Sequence, residues 1–377
     1  MSENRPSAGG GAGVLKRDLV VEHLRGLIVA GEFEPGERMP SRAELERRFA
    51  VGSSVIQGAF EQLKEEGFVH SEPRWGSFVA DHPPHLSHYA LVLGEYPDGQ
   101  VPAFSRALQQ SAATRLKAGE RLVTYNNISR HHETAEDRQL FDDLVCHRVA
   151  GLIFRENPRW LAATPFLAVP GIPKVSIMNP PLVPGVVAIV ADRRAYFDRA
   201  LDHFLERGRR RVAFVTPEYL PARHMAHLAD SARQRGMTLH DEWVLSVTPE
   251  GARNLTKLLM RPGQPDRPDA LLIGDDGIVG AASLGLIDAG VRVGKDLDVI
   301  GHANFPMVLP GHVPMRRLGW DVGEYFRIAT FLIDEMRAGR TVPEAVCVGP
   351  VFEDGVGRQP PAAVEPYVVQ DDERGGV

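Results

Sequence analysis

From Tyr89 onward, the sequence alternates short apolar runs with longer stretches in which apolar residues recur at helical spacing. This alternation predicts parallel β-sheets covered by helices, because two parallel strands must be joined by a long crossover connection. About 260 residues of this texture predict two such sheets side by side, with a cleft between them. The candidate strands are 89–93, 122–125, 151–154, 174–177, 211–215, 269–273 and 298–301, and the candidate helices are 103–117, 135–146, 195–206, 222–235, 277–289 and 322–338.

The preceding segment, 14–80, shows helical spacing first and a hairpin pattern afterwards. Ser41, followed three residues later by Glu44, forms a capping box and predicts the start of a helix. Ser54 and Gln57 repeat that spacing and predict the start of the next helix. The runs "FVHS" and "GSFVA", separated by "EPRW", predict two strands joined at a tip. The order helix, helix, turn, helix and hairpin predicts a winged helix-turn-helix.

These patterns divide the chain into segments. Residues 1–13 are Gly-rich and polar, and residues 353–377 lose periodicity, so both are predicted to be loose tails. Residues 81–88, "DHPPHLSH", predict a linker between the winged helix and the α/β region, 89–352.

Composition excludes several classes of protein. The 377 residues are 43% hydrophobic with a formal net charge of −6, which argues against a protein that coats nucleic acid non-specifically. No run of about 18 apolar residues predicts a membrane span, and no apolar signal segment opens the chain, so we expect a cytoplasmic protein. Two cysteines and the absence of phosphate-loop, zinc-site or nucleophile-elbow motifs predict neither a metal site, a cofactor nor an enzyme.

The segment "GEFEPGERMPSRAEL…FAVGSSVIQGAFEQLKEEGFV…RWGSFVA" resembles the DNA-binding domain of the GntR family of bacterial transcription regulators. The resemblance implies that one helix enters the major groove and that the hairpin tip meets the minor groove. The chain departs from the family at the reading positions, since Ala43, Ser53 and Gln57 stand where arginines often occur. Met1 to Asp81 contains 10 Lys and Arg against 13 Asp and Glu, a net of −3, so one head alone should bind DNA weakly.

Base reading by this head would depend on uncharged side chains. Glutamine can make a bidentate bond to adenine, serine discriminates less, and an arginine at the hairpin tip suits a narrow minor groove. The candidate DNA contacts are Ser41, Arg42, Ser53, Ser54, Gln57, Arg74 and Trp75. The alternative is a winged helix that serves only as an interaction module, because its caps and apolar spacing would look the same.

The region from Tyr89 to Pro350 resembles the effector-binding domain of the LacI/GalR family, which has the fold of type I periplasmic binding proteins. The resemblance rests on "HRVAGLIF", "GIPKVSI", "VADRRAYFDRALDHFLERGRRRVAFV" and "PDALLIGDDGIVGAASLGLIDAGVRVGKDLDVIGHANFP". It implies a two-subdomain α/β domain with a ligand between the subdomains. Ligands of open α/β sheets bind where the carboxyl ends of the strands meet.

The resemblance also implies ligand-binding positions. They are Asp275, Asn304, Arg223 and Arg155 for polar contacts and Trp320 for stacking on a sugar ring. Three of them have a structural alternative: Asp275 fits a helix cap, Trp320 a core or subunit-interface aromatic, and Arg223 a surface residue. His302, Ala303 and Asn304 replace a common aromatic–Asp–Asp or aromatic–Asp–Asn run. The loss of the first Asp to Ala303 removes a usual hydroxyl acceptor, which implies a ligand that differs from the usual family sugars.

The sequence therefore predicts a transcription regulator, in particular a repressor, controlled by a small carbohydrate bound in the cleft. Because LacI-type domains dimerise, we expect a homodimer on a palindromic operator, in which pairing compensates for a weak head. The alternative is a cytoplasmic ligand-binding or scaffold protein whose winged helix no longer binds DNA.

Overall fold

A computed structural model describes residues 10–95, 102–129, 134–177, 182–217, 220–264, 266–357, 364 and 366–369. Residues 1–9 and most of the segment 358–377 lie outside this range, so the predicted tails fall mostly outside the described residues. The first helix begins at Gly10, inside the segment predicted to be a tail.

The N-terminal part is a winged helix, which we call the head. It comprises α1 (Gly10–Val29), α2 (Arg42–Phe49), α3 (Ser53–Glu65), β1 (Val69–Glu72) and β2 (Gly76–Val79). Strands β1 and β2 pair antiparallel as the predicted hairpin. Leu24, Leu45, Ile56 and Leu63 are buried together between the three helices, because apolar residues recur at helical spacing on their inner faces.

The two predicted capping boxes have different outcomes. At α2 the prediction is confirmed: the Ser41 hydroxyl accepts from the Glu44 backbone N–H, and the Glu44 carboxylate accepts from the Ser41 backbone N–H. At α3 it is wrong, since the N-cap is Gly52 and no side chain caps the helix. The N-cap lies two residues earlier than predicted, at Gly52 with an extended backbone, and Gln57 donates instead to Glu61 at 2.9 Å.

The segment predicted as a linker is folded and packed. It contains a one-turn helix, α4 (Pro84–Ser87), in which Pro84, His85 and Ser87 are buried. The Ser87 hydroxyl donates to the carbonyls of His82 and Pro83, each at 2.9 Å. The proline pair thus begins a packed helical turn here and does not form an extended spacer.

The rest of the chain forms two lobes, each built on one sheet of six strands within the described residues. The sheet of the N-terminal lobe has the order β13-β7-β6-β5-β3-β4, and all its pairs are parallel. Its strands are β3 (His88–Gly94), β4 (Arg121–Ile128), β5 (Gly151–Phe154), β6 (Lys174–Ile177), β7 (Val187–Ala191) and β13 (Ala345–Val348); its helices are α5 (Ala103–Arg115), α6 (Ala135–Val145) and α7 (Pro165–Ala168).

The sheet of the C-terminal lobe has the order β14-β12-β11-β10-β8-β9, in which the β12–β14 pair is antiparallel. Its strands are β8 (Val212–Thr216), β9 (Val244–Ser246), β10 (Ala270–Ile273), β11 (Asp298–Phe305), β12 (Arg316–Asp321) and β14 (Val351–Phe352). The remaining helices are α8 (Arg193–Glu206), α9 (Ala222–Gln234), α10 (Pro249–Leu259), α11 (Asp276–Asp288) and α12 (Val322–Arg337).

The chain passes between the lobes at Asp192, at Asp321 and between β13 and β14. Both aspartates follow or end a strand and cap the next helix, Asp192 through the Ala195 N–H at 3.0 Å and Asp321 through the Gly323 N–H at 2.9 Å. The carboxyl ends of both sheets therefore border the crossovers. The two helix-covered sheets agree with the predicted architecture, except that the C-terminal sheet is mixed because β14 pairs antiparallel with β12.

Candidate DNA interface and ligand cleft

All seven predicted DNA contacts are solvent-exposed. Ser53 and Ser54 lie in the first turn of α3, Ser41 and Arg42 start α2, and Arg74 and Trp75 lie at the tip of the β1–β2 hairpin. Because no side chain caps α3, its first N–H groups and the positive end of its dipole stay available to a phosphate.

Two of the predicted contacts are already engaged within the head. The Ser41 hydroxyl belongs to the capping box of α2, and the Gln57 amide is bonded to Glu61. Gln57 must exchange this exposed bond to read a base. Neutral serines and this glutamine leave the tip of α3 without a charge of its own, so phosphate attraction must come from neighbouring arginines.

The hairpin tip concentrates positive charge and apolar surface. Arg74 adopts a left-handed backbone with φ of 70°, and Trp75 is 69% exposed. Arg38, which the sequence reasoning missed, pairs with Phe78 beside the hairpin, and its guanidinium lies 3.3 Å from the position that a Cβ of Gly76 would take. Arg38 and Arg74 thus put two exposed cations on the wing.

In the C-terminal lobe, a hydrogen bond between two polar side chains joins the end of β11 to the start of α11. The Asn304 amide, near the end of β11, donates to Asp276 Oδ2 at 3.0 Å, and both side chains are buried. Burial raises the pKa of Asp276 above its ordinary value, while the Asn304 hydrogen bond opposes that shift. Asp275 is half-buried and accepts from the Gly277 N–H at 2.8 Å, so it caps α11 as the alternative reading proposed.

Three aromatic rings meet beside this pair. The Tyr196 ring is stacked on Trp320 with centroids 5.2 Å apart and an interplanar angle of 19°. His302 contacts both rings, at 5.8 Å from Tyr196 and 5.0 Å from Trp320. Within the described residues, Tyr196 Oη, Trp320 Nε1 and His302 Nδ1 are buried and have no hydrogen-bond partner.

This stack limits how Trp320 can contact a ligand. One face of its indole is covered by Tyr196, and the side chain is only 7% exposed, so that face is not open to a sugar ring. Sequence reasoning missed Tyr196, although it lies four residues after the acidic position Asp192 that the resemblance had marked. The three unpartnered polar atoms leave the cluster able to bind a ligand edge-on.

The remaining predicted arginines lie in opposite lobes. Arg155 follows β5 in the N-terminal lobe and forms an ion pair with Glu156 at 2.7 Å. Arg223 lies in the first turn of α9 in the C-terminal lobe. Arg155 directly follows the last residue of β5, and Arg223 is the second residue of α9.

Arg193 at the first crossover is a further cation that the sequence reasoning did not select. Burial is the main cause that lowers the pKa of His302 and of His224 to about 4, and the charge of Arg193 lowers both further. Asp275 opposes this effect at His302. Both imidazoles are therefore neutral at pH 7, and each can donate from one ring nitrogen and accept at the other.

Among the described residues, no group of three His, Cys, Asp or Glu side chains could hold a metal ion. In the same part of the chain, no helix is both long and apolar enough to span a membrane.

An exposed winged-helix face joined to a two-lobed α/β cleft defines the class of protein: a DNA-binding head fused to a ligand-binding domain. Sequence comparison agrees, since residues 16–79 match "Bacterial regulatory proteins, gntR family" and residues 201–350 match "Periplasmic binding protein-like domain". The chain thus combines a GntR-type helix-turn-helix with a periplasmic-binding-protein-like domain.

The individual proteins that are similar to this chain are described as regulators. The arabinose metabolism transcriptional repressor of Geobacillus stearothermophilus is 21% identical over 296 residues, covering 74% of this chain and 79% of that protein. A LacI-family regulatory protein from Chloroflexus aggregans has a TM-score of 0.54 at 19% identity, covering 70% of this chain and 96% of its own. A LacI-family regulator from Lactobacillus casei with bound glucose has a TM-score of 0.50 at 18% identity, covering 71% and 98%. These structural similarities establish the fold.

Proposed function

We propose that this protein is a transcription repressor whose head binds operator DNA and whose cleft binds a carbohydrate that controls the head. The observation that supports the proposal is the presence, in one chain, of an exposed winged-helix face and a two-lobed α/β domain with buried polar and aromatic side chains near the crossovers between its lobes. A DNA-binding role places the protein in the bacterial cytoplasm, and the proposal involves no catalysis.

On DNA, α3 would enter the major groove with Ser53, Ser54 and Gln57 toward the bases, while Arg74 follows the minor groove. Arg38 and Arg42 would contact phosphates on either side. The head carries a net charge of −3 over residues 1–81, so a single head gains little from counterion release. We therefore propose a homodimer on a palindromic operator, where the second head binds at a high effective concentration.

In the cleft, a sugar would be held by planar polar groups from both lobes. Asn304 and Asp275 offer amide and carboxylate groups from one lobe, and Arg155 offers a guanidinium from the other. Arg223 and the edges of the aromatic cluster complete the set. The names of two similar proteins favour a carbohydrate: one is a repressor of arabinose metabolism, and one contains bound glucose.

Control of DNA binding would follow from a population shift. A ligand that contacts both lobes favours the closed arrangement, and it changes operator affinity only by its preference between the two arrangements. Such couplings typically amount to about 1–3 kcal/mol, or roughly 5- to 150-fold in affinity.

The test is fluorescence anisotropy of the purified protein on DNA from upstream of its own gene and its neighbours, at low and physiological salt, beside a scrambled duplex. We expect at least a tenfold preference for one natural fragment that survives physiological salt. Equal binding to the scrambled duplex would instead favour the second candidate, a ligand-binding protein with an inert winged helix, which the acid-rich head and neutral reading face suggest. In that case Arg74→Ala would leave all DNA affinities unchanged.

A further inference from the structure

The head contacts the N-terminal lobe through a chain of charged side chains, which we call the docking chain: Arg25, Glu66, Arg148 and Asp143. Within the head, Arg25 Nη2 lies 2.6 Å from Glu66 Oε2, and these side chains are only 8% and 10% exposed. From the lobe, Arg148 Nη1 reaches Glu66 Oε1 at 3.4 Å, while Arg148 Nε donates to Asp143. One guanidinium thus bridges a carboxylate of the head and a carboxylate of the lobe.

The two bridged carboxylates are held in place by other donors. Asp143 accepts from Tyr125 Oη at 2.6 Å and from the Gln139 amide at 2.8 Å. Glu66 accepts from the Gln62 amide at 3.1 Å in addition to its two arginines. An exposed surface ion pair is worth little because solvent and side-chain freedom compete with it, but the Glu66 and Asp143 side chains are only 10% and 12% exposed and are held by other donors.

The helical turn α4 supports the same junction. The buried Phe68 ring of the head stacks on His85 with centroids 5.7 Å apart and an interplanar angle of 12°. On the other side, Arg337 of α12 donates to the Leu86 carbonyl at 3.1 Å. A cavity of about 730 Å³ lies beside these contacts, lined by Val29, His85, His147, Lys174 and Arg337 among others. The junction is therefore anchored at its polar contacts and has room beside them for movement.

Docking leaves the DNA-reading end of α3 free. Glu66 is the C-cap of α3, whereas Ser53 and Ser54 lie at the opposite end of this 13-residue helix, about 20 Å away. The lobe thus holds the recognition helix at one end and presents the other to solvent.

We propose that the N-terminal lobe is a docking surface for the winged helix of the same chain, and that the docking chain fixes the direction of the recognition helix relative to the cleft. The consequence for control rests on the proposed function: rotation of this lobe moves the head as a unit and changes the distance between the two heads of a dimer. A head that is not held by the docking chain must lose orientational freedom each time it binds DNA.

Arg148→Met tests the docking. It removes the bridging charge yet keeps most of the apolar stem, while Glu66 retains Arg25 and Asp143 retains Tyr125, so both parts should stay folded. Arg148→Lys retains the charge, but one ammonium group cannot reproduce both bonds of the guanidinium fork. The matched control is Arg233→Met, whose side chain is 75% exposed and pairs with Asp230 of the same helix.

The first readout needs no DNA. Hydrogen exchange at the α4 amides of the full-length protein should become about tenfold faster in Arg148→Met, intermediate in Arg148→Lys and unchanged in Arg233→Met. Equal exchange in the wild type and Arg148→Met overturns the docking. The second readout is operator affinity, expected to fall about tenfold in Arg148→Met with unchanged ligand affinity. If the wild type binds no operator, the proposed function fails, while the exchange result still decides the docking.

Discussion

Ser41 and Ser54 occupy equivalent positions in sequence, but the structure gives them opposite energetic roles. Ser41 caps α2, although the bond from the Glu44 N–H to its hydroxyl is long, at 3.4 Å. Loss of an N-cap typically costs about 1 kcal/mol, or roughly fivefold in a local opening equilibrium. Ser54 lies inside the first turn of α3, makes no cap, and is exposed. Replacing it by alanine should gain a few tenths of a kcal/mol, because alanine has the higher helix propensity (about 0.5 kcal/mol).

In the assay, the intact protein is labelled by hydrogen exchange and then digested. The label retained by the peptides that contain α2 and α3 is then measured. We expect Ser41→Ala to accelerate exchange in α2 about fivefold, and Ser54→Ala to leave α3 unchanged or slightly slower. Circular dichroism of both variants controls for loss of the fold. Faster exchange of α3 in Ser54→Ala, or unchanged α2 in Ser41→Ala, would refute the assignment of the caps.

Three further outcomes are expected. Arg74→Ala should lower the slope of log affinity against log salt on DNA by about 2 for a dimer, one phosphate per head, and an unchanged slope would remove this residue from the interface. Burial lowers the pKa of His85 in the folded protein to about 4 from an ordinary value of 6.5, so the unfolded chain binds the proton first on acidification. The free energy of unfolding should therefore fall by up to about 3 kcal/mol between pH 6.5 and pH 4. Urea unfolding at both pH values checks this, and His85→Phe should flatten the dependence. Gly319→Ala should cost roughly 3 kcal/mol, because its Cβ would lie 1.7 Å from a backbone oxygen of β11; Gly349→Ala, with open space, is the thermal-unfolding control.

Several buried apolar strands were predictable because their signal is local, although β7, which reads "VAIVA", was not among the candidate strands. The strands β5 and β6 begin and end at the residues that the sequence predicted. By contrast, β12 reads "RRLGWD" and has no run of apolar residues. It is a strand because it pairs with β11, and not because its own residues prefer a strand. The short β13 and β14 become strands only when the chain returns to each lobe.

The site residues were likewise predictable only where their signal is local in the sequence. Exposure of the DNA-reading positions follows from helix spacing and was predicted. The stack of Tyr196 on Trp320 joins a helix and a strand of distant sequence, so no local pattern contains it. The docking chain was missed for the same reason, since Glu66 and Arg148 meet only once the head lies on the lobe. The proline pair before α4 was misread because a turn signal does not show whether the turn is packed.

Linkage between cleft and head is the central claim, and operator affinity measured with and without a sugar that binds the protein tests it most directly. The sugar is first chosen from arabinose, ribose and glucose by calorimetry, and anisotropy is then recorded for the wild type and Asn304→Leu. We predict that the sugar changes the operator affinity of the wild type by at least fivefold and that of the variant by less than twofold. A sugar that binds in the cleft but leaves operator affinity unchanged would contradict the account.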